Sequence, residues 1–156
     1  MHPRAEAFAD CAAEKHGLDI EVHEFEEGTK TAEDAAERVG CAVEQIASGL
    51  VFEADGQPVM VITSGANRVN ETALAAYLDA DSVAMADPEL VRETTGFGIG
   101  GVPPFCHERH LRVLIDPTLT QQDVVWAAAG TPEAIFPIKP ETLVDVAEAT
   151  PADVTE

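Results

Sequence analysis

The ten residues Thr95-Gly96-Phe97-Gly98-Ile99-Gly100-Gly101-Val102-Pro103-Pro104 constrain this chain more than any other stretch. Four glycines and two prolines surround a few apolar side chains. Glycine lets backbone approach a ligand closely, and proline then sets the direction of the chain. Ordering such a loop costs about 1–2 kcal/mol of backbone entropy per residue, a cost that points to ligand binding. The spacing Gly96-x-Gly98-x-x-Gly101 imitates a dinucleotide-binding fingerprint, which must follow a strand and open a helix. Here a helix-like segment from Asp87-Pro88 to Thr94 precedes it, and Pro103-Pro104 stand where the helix should begin. The spacing is therefore rejected as a dinucleotide site. Exposed amide N–H groups in a loop of this kind suit an oxyanion or a carbonyl instead.

The flanking sequence predicts short elements of both kinds. Residues 4–16 read as a helix ended by Gly17, and Thr31-x-x-Asp34 opens a second that stops at Gly40. Residues 20–25 read as a strand with Ile20 and Val22 on one face, and 43–47 as a short helical turn. Leu50-Val51-Phe52 and Val59-Met60-Val61-Ile62 across Asp55-Gly56 predict a hairpin. Asn70 caps a helix to Leu78, Val83–Met85 is a short strand, and Asp87-Pro88 starts a helix. Residues 111–115, 124–128 and 134–136 complete the strands, Pro140 opens a last helix, and 151–156 form a tail that frays after a single domain over 1–150. No regular βαβ rhythm runs through these elements. They predict an α+β chain with a mixed, largely antiparallel sheet flanked by helices.

Hydrophobic content of 46 % and a length of 156 residues suit a globular domain with a sizeable core. The charge is extreme: 29 acidic against 9 basic residues, a net charge of −20 spread along the chain. This reads as a solvated acidic surface of a protein from a salt-rich cytoplasm, where a Debye length of about 3 Å at roughly 1 M salt mutes self-repulsion. In dilute salt such a surface repels nucleic acid and anionic membranes, so an RNA ligand must be held by screened charge, stacking and pocket contacts. No apolar run is long enough to span a membrane, and no signal peptide is expected. Cys11, Cys41 and Cys106 are odd in number and widely spaced, which predicts no disulfide framework.

These segments together resemble the YbaK/ProX family of aminoacyl-tRNA deacylases, relatives of the editing domain inserted in bacterial prolyl-tRNA synthetases. The resemblance runs through Thr31-Ala32-Glu33-Asp34-Ala35-Ala36, Val61-Ile62-Thr63-Ser64-Gly65, Ala86-Asp87-Pro88, Thr95-Gly96 through Pro104, Asp116, and Ala129-Gly130-Thr131-Pro132. It implies a barrel-like mixed sheet surrounded by helices. It also implies a free-standing cytoplasmic enzyme that hydrolyses the ester joining a wrong, small amino acid to the acceptor end of a tRNA, with no cofactor. The family's Gly-x-x-x-Pro loop falls on Gly100-Gly101-Val102-Pro103-Pro104 and implies contact with the aminoacyl ester. The family's usual lysine in the first hairpin strand is replaced: Ile46-Ala47-Ser48-Gly49-Leu50-Val51-Phe52 places Ser48 there. A catalytically reduced relative that binds an aminoacyl group, a nucleotide or a protein is the alternative.

Ester hydrolysis needs a positioned water, stabilisation of the developing oxyanion and a proton route. Backbone N–H groups of Gly100 and Gly101 are the candidate oxyanion donors. Ser48, and Lys30 as the nearest cation in sequence, are the candidate polar side chains of the catalytic centre. Candidate substrate contacts are Gly65, Phe97, Gly98, Pro103, Pro104, Phe105, His107 and Gly130, with Phe97 and Phe105 expected to line the pocket. Trp126 and Phe136 are assigned to the core, with adenine stacking as the rival role. Cys106-His107-x-x-His110 lacks the second ligand pair that a closed metal site needs, so no metal is expected. Asp116 before Pro117 is expected to orient a loop. The oligomeric state is open between monomer and homodimer.

Overall fold

The computed structural model describes residues 2–25 and 31–156. In chain order the elements are α1 (Pro3–His16), β1 (His23–Glu24), α2 (Ala32–Val39), a 3-10 turn (Val43–Gln45), β2 (Ile46–Ala54), β3 (Gln57–Ser64), α3 (Glu71–Leu78), β4 (Val83–Met85), α4 (Pro88–Thr95), β5 (Arg112–Ile115), α5 (Pro117–Thr120), β6 (Val125–Ala128), β7 (Ala134–Ile138), α6 (Pro140–Ala147) and β8 (Ala149–Pro151). Local chemistry sets most boundaries. Thr31, Asn70 and Asp87 each accept a hydrogen bond from the backbone N–H three residues on, which satisfies one of the free donors at a helix start. The N–H of Gly17 closes the end of α1 on Ala13, at 3.1 Å.

The eight strands among the described residues join one mixed sheet in the order β1-β7-β6-β2-β3-β5-β8, with β4 added to β2. The β2–β3 hairpin is its centre and pairs antiparallel from Ala47↔Ser64 to Ala54↔Gln57. Both faces of β3 are covered. Met60 and Ile62 belong to the main core with Phe8, Phe105 and Phe136, while Val59 and Val61 pack on the other side with Phe52, Leu74 and Leu114. A strand covered on both faces reads as a continuous apolar run, as Val59–Ile62 does.

One edge of β2 is shared by two strands, and this arrangement positions the site. Parallel β6 pairs with Ile46 and Ala47, and antiparallel β4 pairs with Phe52, Glu53 and Ala54. Between them the edge at Ser48–Leu50 has no strand partner among the described residues. The sheet forks there, and the glycine-rich loop packs against it: a Cβ built on Gly49 would lie 3.1 Å from the Val102 carbonyl.

The structure corrects three expectations about the fold. The end of the chain does not fray. Strand β8 pairs with β5, Val154 is 1 % exposed, and the Glu156 N–H donates to the Arg68 carbonyl at 2.9 Å. The strand over 20–25 shrinks to His23–Glu24, because Ile20 and Val22 are used as packing against the core. Cys11 and Cys106 are joined by a disulfide, Cα to Cα 6.3 Å, which ties α1 to the segment after the glycine loop. They are 95 residues apart, so spacing alone gave no sign of the pair.

Candidate active site

The fork in the sheet opens into a cavity of about 670 Å³. Its lining includes the β2 edge from Ile46 to Val51 and Ile99, Gly100 and Val102 of the glycine loop. Ala86 and Val91 close one end, while Trp126, Thr131 and Ile135 close the other. The lining is mainly apolar. Its polar members among the described residues are Thr31, Ser48, Thr131 and Glu133, and Glu133 is the one titratable group among them. Met85 and Ile99, 57 % and 55 % exposed, project at the mouth.

Packing holds the loop in shape. Thr95 is fully buried, its hydroxyl donates to the Val91 carbonyl at 2.7 Å, and it accepts from the Phe97 N–H at 3.0 Å. Gly101 lies so close to the β6–β7 connection that a Cβ there would meet Thr131 Cα at 2.6 Å. No other residue fits without moving that backbone. The Gly101 N–H donates to the Gly98 carbonyl at 3.2 Å and closes a turn, so it is not offered to a ligand. This corrects its expected role as an oxyanion donor. Gly100, exposed on the cavity wall at φ 91°, is the remaining donor of the pair.

The structure brings Ser48 and Gly100 to one cavity and separates other candidates from it. Phe105 is 3 % exposed and packs against Phe8 and Phe136, with ring centroids 5.1 and 6.0 Å away. Phe97 is also a core residue, so neither ring lines the cavity as expected. The loop prolines Pro103 and Pro104 are buried behind it. Gly98 faces the Arg4 guanidinium, and Gly130 packs against the Arg4 carbonyl at the start of α1. Gly65 lies on the wall of a neighbouring cleft, its N–H donating to the Ile46 carbonyl at 2.8 Å. Lys30 lies outside the described residues.

His107 is directed into the protein. Its Nε2 is 2.7 Å from the Pro103 carbonyl, a contact that requires the ring N–H to donate. Burial pushes its pKa below the usual 6.5, and the bond to Pro103 opposes that shift only in part. It is a neutral structural clasp on the loop, not a wall of the cavity. Cys106 is committed to its disulfide, so it supplies no thiolate to a metal or an ester. Burial raises the Cys41 thiol above its ordinary 9.0.

The sequence did not mark two cavity-lining threonines as site residues. Thr31 and Thr131 face the cavity from the start of α2 and the β6–β7 connection. Trp126, assigned mainly to the core, is half-buried on the cavity wall, and His23 meets its ring edge-on at 4.9 Å. Alternation along β6 carries the signal: Trp126 and Ala128 share one face, Val125 and Ala127 the other. Asp116 is 2 % exposed and does orient a loop. It accepts from Ser64 N–H at 3.1 Å, Asn67 Nδ2 at 2.9 Å and Thr118 N–H at 2.9 Å, and so holds the end of β3 against α5.

Comparison with known proteins identifies the family and the fold. The sequence profile of the aminoacyl-tRNA editing domain matches residues 26–146. An uncharacterized protein of Bacillus subtilis, YwhH, is 30 % identical over 123 residues, 79 % of this chain and 78 % of its own length. The proline–tRNA ligase of Lactiplantibacillus plantarum is 30 % identical over 106 residues, which span 68 % of this chain and 18 % of the ligase. A crystal structure of a proposed trans-editing enzyme for prolyl-tRNA synthetase superposes with a TM-score of 0.95 at 35 % identity, covering 100 % of this chain and 99 % of the other. The chain belongs to the aminoacyl-tRNA editing domain family, with the mixed α+β fold of its YbaK-like members.

Proposed function

We propose that this protein deacylates a mischarged tRNA carrying a small, uncharged amino acid. The observation that carries the proposal is the cavity at the fork of β2, which both Ser48 and Gly100 line. Its apolar lining suits an acyl side chain and disfavours a charged one, since burying an unpaired charge is costly. Hydrolysis adds water to the ester carbon and releases the ribose oxygen with a proton. The Gly100 N–H is the donor for the oxyanion that forms in between. The Ser48, Thr31 and Thr131 hydroxyls are the groups available to hold the water. With no histidine or lysine among the described residues lining the cavity, the neighbouring ribose hydroxyl of the substrate is the natural carrier of the proton.

A second reading, a family member that binds the aminoacyl end without turning it over, draws on two observations. Ser48 replaces the family's usual lysine, and the Gly101 N–H is already used within the loop. Release of amino acid from alanyl-, cysteinyl- and prolyl-tRNA, measured in molar potassium chloride to screen the net charge of −20, tests both. Faster release of one amino acid than in buffer supports the deacylase. No release by folded protein, with a large gain in Ser48→Lys, supports the reduced relative.

A further inference from the structure

A second cavity of about 520 Å³ adjoins the first and shares Ala32, Ser48, Leu50 and Met85 with it. Its character differs. Ser48, Thr63, Arg68, Glu33 and Glu71 all stand on its walls. Thr63 lies directly opposite Ser48 in the β2–β3 ladder, so the two side chains share a face. Thr63 is 2 % exposed, and its Oγ1 is the one buried side-chain polar atom without a hydrogen-bond partner among the described residues. Buried hydroxyls are nearly always paired, and an orphan on a cavity wall marks a place where a ligand supplies the partner.

Arg68 is the one cation lining either cavity among the described residues. It forms no ion pair among them and is exposed, yet its backbone is anchored. Its carbonyl accepts the Glu156 N–H, and Val69 beside it bridges to Thr155. Glu33 and Glu71 repel a bare anion but accept hydrogen bonds from sugar hydroxyls or an exocyclic amine. A group with a phosphate at one end and hydroxyls or an amine elsewhere fits this set. A free inorganic anion does not.

We infer that the second cavity holds the terminal nucleotide of the charged tRNA, with its 5′-phosphate on Arg68 and its ribose against Ser48 and Thr63. This rests on the deacylase reading and deepens it. Ser48 is where the two cavities meet, so the ester lies there, the acyl group enters the apolar side and the nucleotide lies along the polar side. Arg68 is a binding residue and does not touch the reacting atoms.

The test uses a non-hydrolysable probe, 3′-alanylamino-3′-deoxyadenosine 5′-phosphate, beside the same compound without its phosphate. Binding is read from the fluorescence of Trp126, the single tryptophan, which lines the first cavity. Wild type should bind the phosphorylated probe about tenfold more tightly, as one charge-assisted contact predicts. Arg68→Ala should erase that difference, and Arg68→Lys should restore part of it. For charged tRNA, Arg68→Ala should raise KM, leave kcat near wild type and lower the salt slope of binding by about 0.7. Thr63→Val should raise the melting temperature, because it removes an orphan hydroxyl, while weakening both probes; Thr63→Ser should keep wild-type binding. Equal affinity of wild type for the two probes overturns the inference, as does a phosphate preference that survives Arg68→Ala. Hydrolysis of charged tRNA without binding of either probe overturns the inference alone. Probe binding with the expected Arg68 dependence but no hydrolysis overturns the deacylase reading and keeps the nucleotide site.

Discussion

The two halves of the segment from Gly98 to His110 are built on opposite principles. In the first half, Gly98–Val102, the residues Ile99, Gly100 and Val102 border the cavity, with Gly100 exposed and Ile99 extended into solvent. The second half turns inward: Pro103, Pro104 and Phe105 are buried, His107 clasps the Pro103 carbonyl, and Cys106 is bonded to α1. Preorganised donors stabilise a transition state only if their positions do not relax. The buried half therefore provides rigidity, and the open half provides contact. Substitution of the exposed Ile99 should alter chemistry without altering stability, whereas substitution at a buried position, Gly101 included, should cost stability.

The largest effect is expected at Phe105. Its ring fills the space between Phe8 and Phe136, and Phe105→Ala should destabilise the protein by about 3–5 kcal/mol in chemical unfolding. A cost under about 1 kcal/mol would show that this half does not anchor the loop. Gly101→Ala comes next. Its Cβ would collide with the Thr131 backbone, which predicts about 1–3 kcal/mol of lost stability together with lost hydrolysis, since both walls of the cavity move. A stable variant with wild-type turnover would remove the close approach from the account.

His107 has a pH signature. The unfolded chain binds a proton near 6.5, while the folded ring, its pKa depressed by burial, still refuses it. Its contribution is complete above that pH and is lost as pH falls through the folded pKa. Stability of wild type relative to His107→Gln should therefore decline on acidification below 6.5; parallel curves would show that the ring is not buried neutral. The smallest change in stability is expected at Ile99. Ile99→Ala should stay within about 0.5 kcal/mol of wild type, yet shift KM for charged tRNA, because the side chain stands at the cavity mouth. A change in stability without a change in KM would reverse the comparison.

Local signals accounted for much of this fold. Capping residues marked α2, α3 and α4, and Asp55-Gly56 marked the central hairpin, since the chemistry of these boundaries lies within a few residues. What escaped depends on distant partners. Strand β8 is three residues long and exists through its pairing with β5. Phe105 looks like a loop aromatic until α1 brings Phe8 against it. Of the candidate site, Ser48 and Gly100 line one cavity. The fork that joins them is set by the different registers of β4 and β6 on β2, which no local pattern encodes. Nor does any spacing reveal that Thr63 is left without a partner.

The most direct test of the central claim is hydrolysis of charged tRNA by wild type beside Ala128→Phe. Ala128 lies on the cavity wall, half-buried, so a phenylalanine there occupies the space assigned to the acyl group. The account predicts that wild type releases one amino acid faster than buffer does, and that the variant, folded with an unchanged melting temperature, loses that release. Equal rates from the two proteins, or no release by folded wild type, would contradict it.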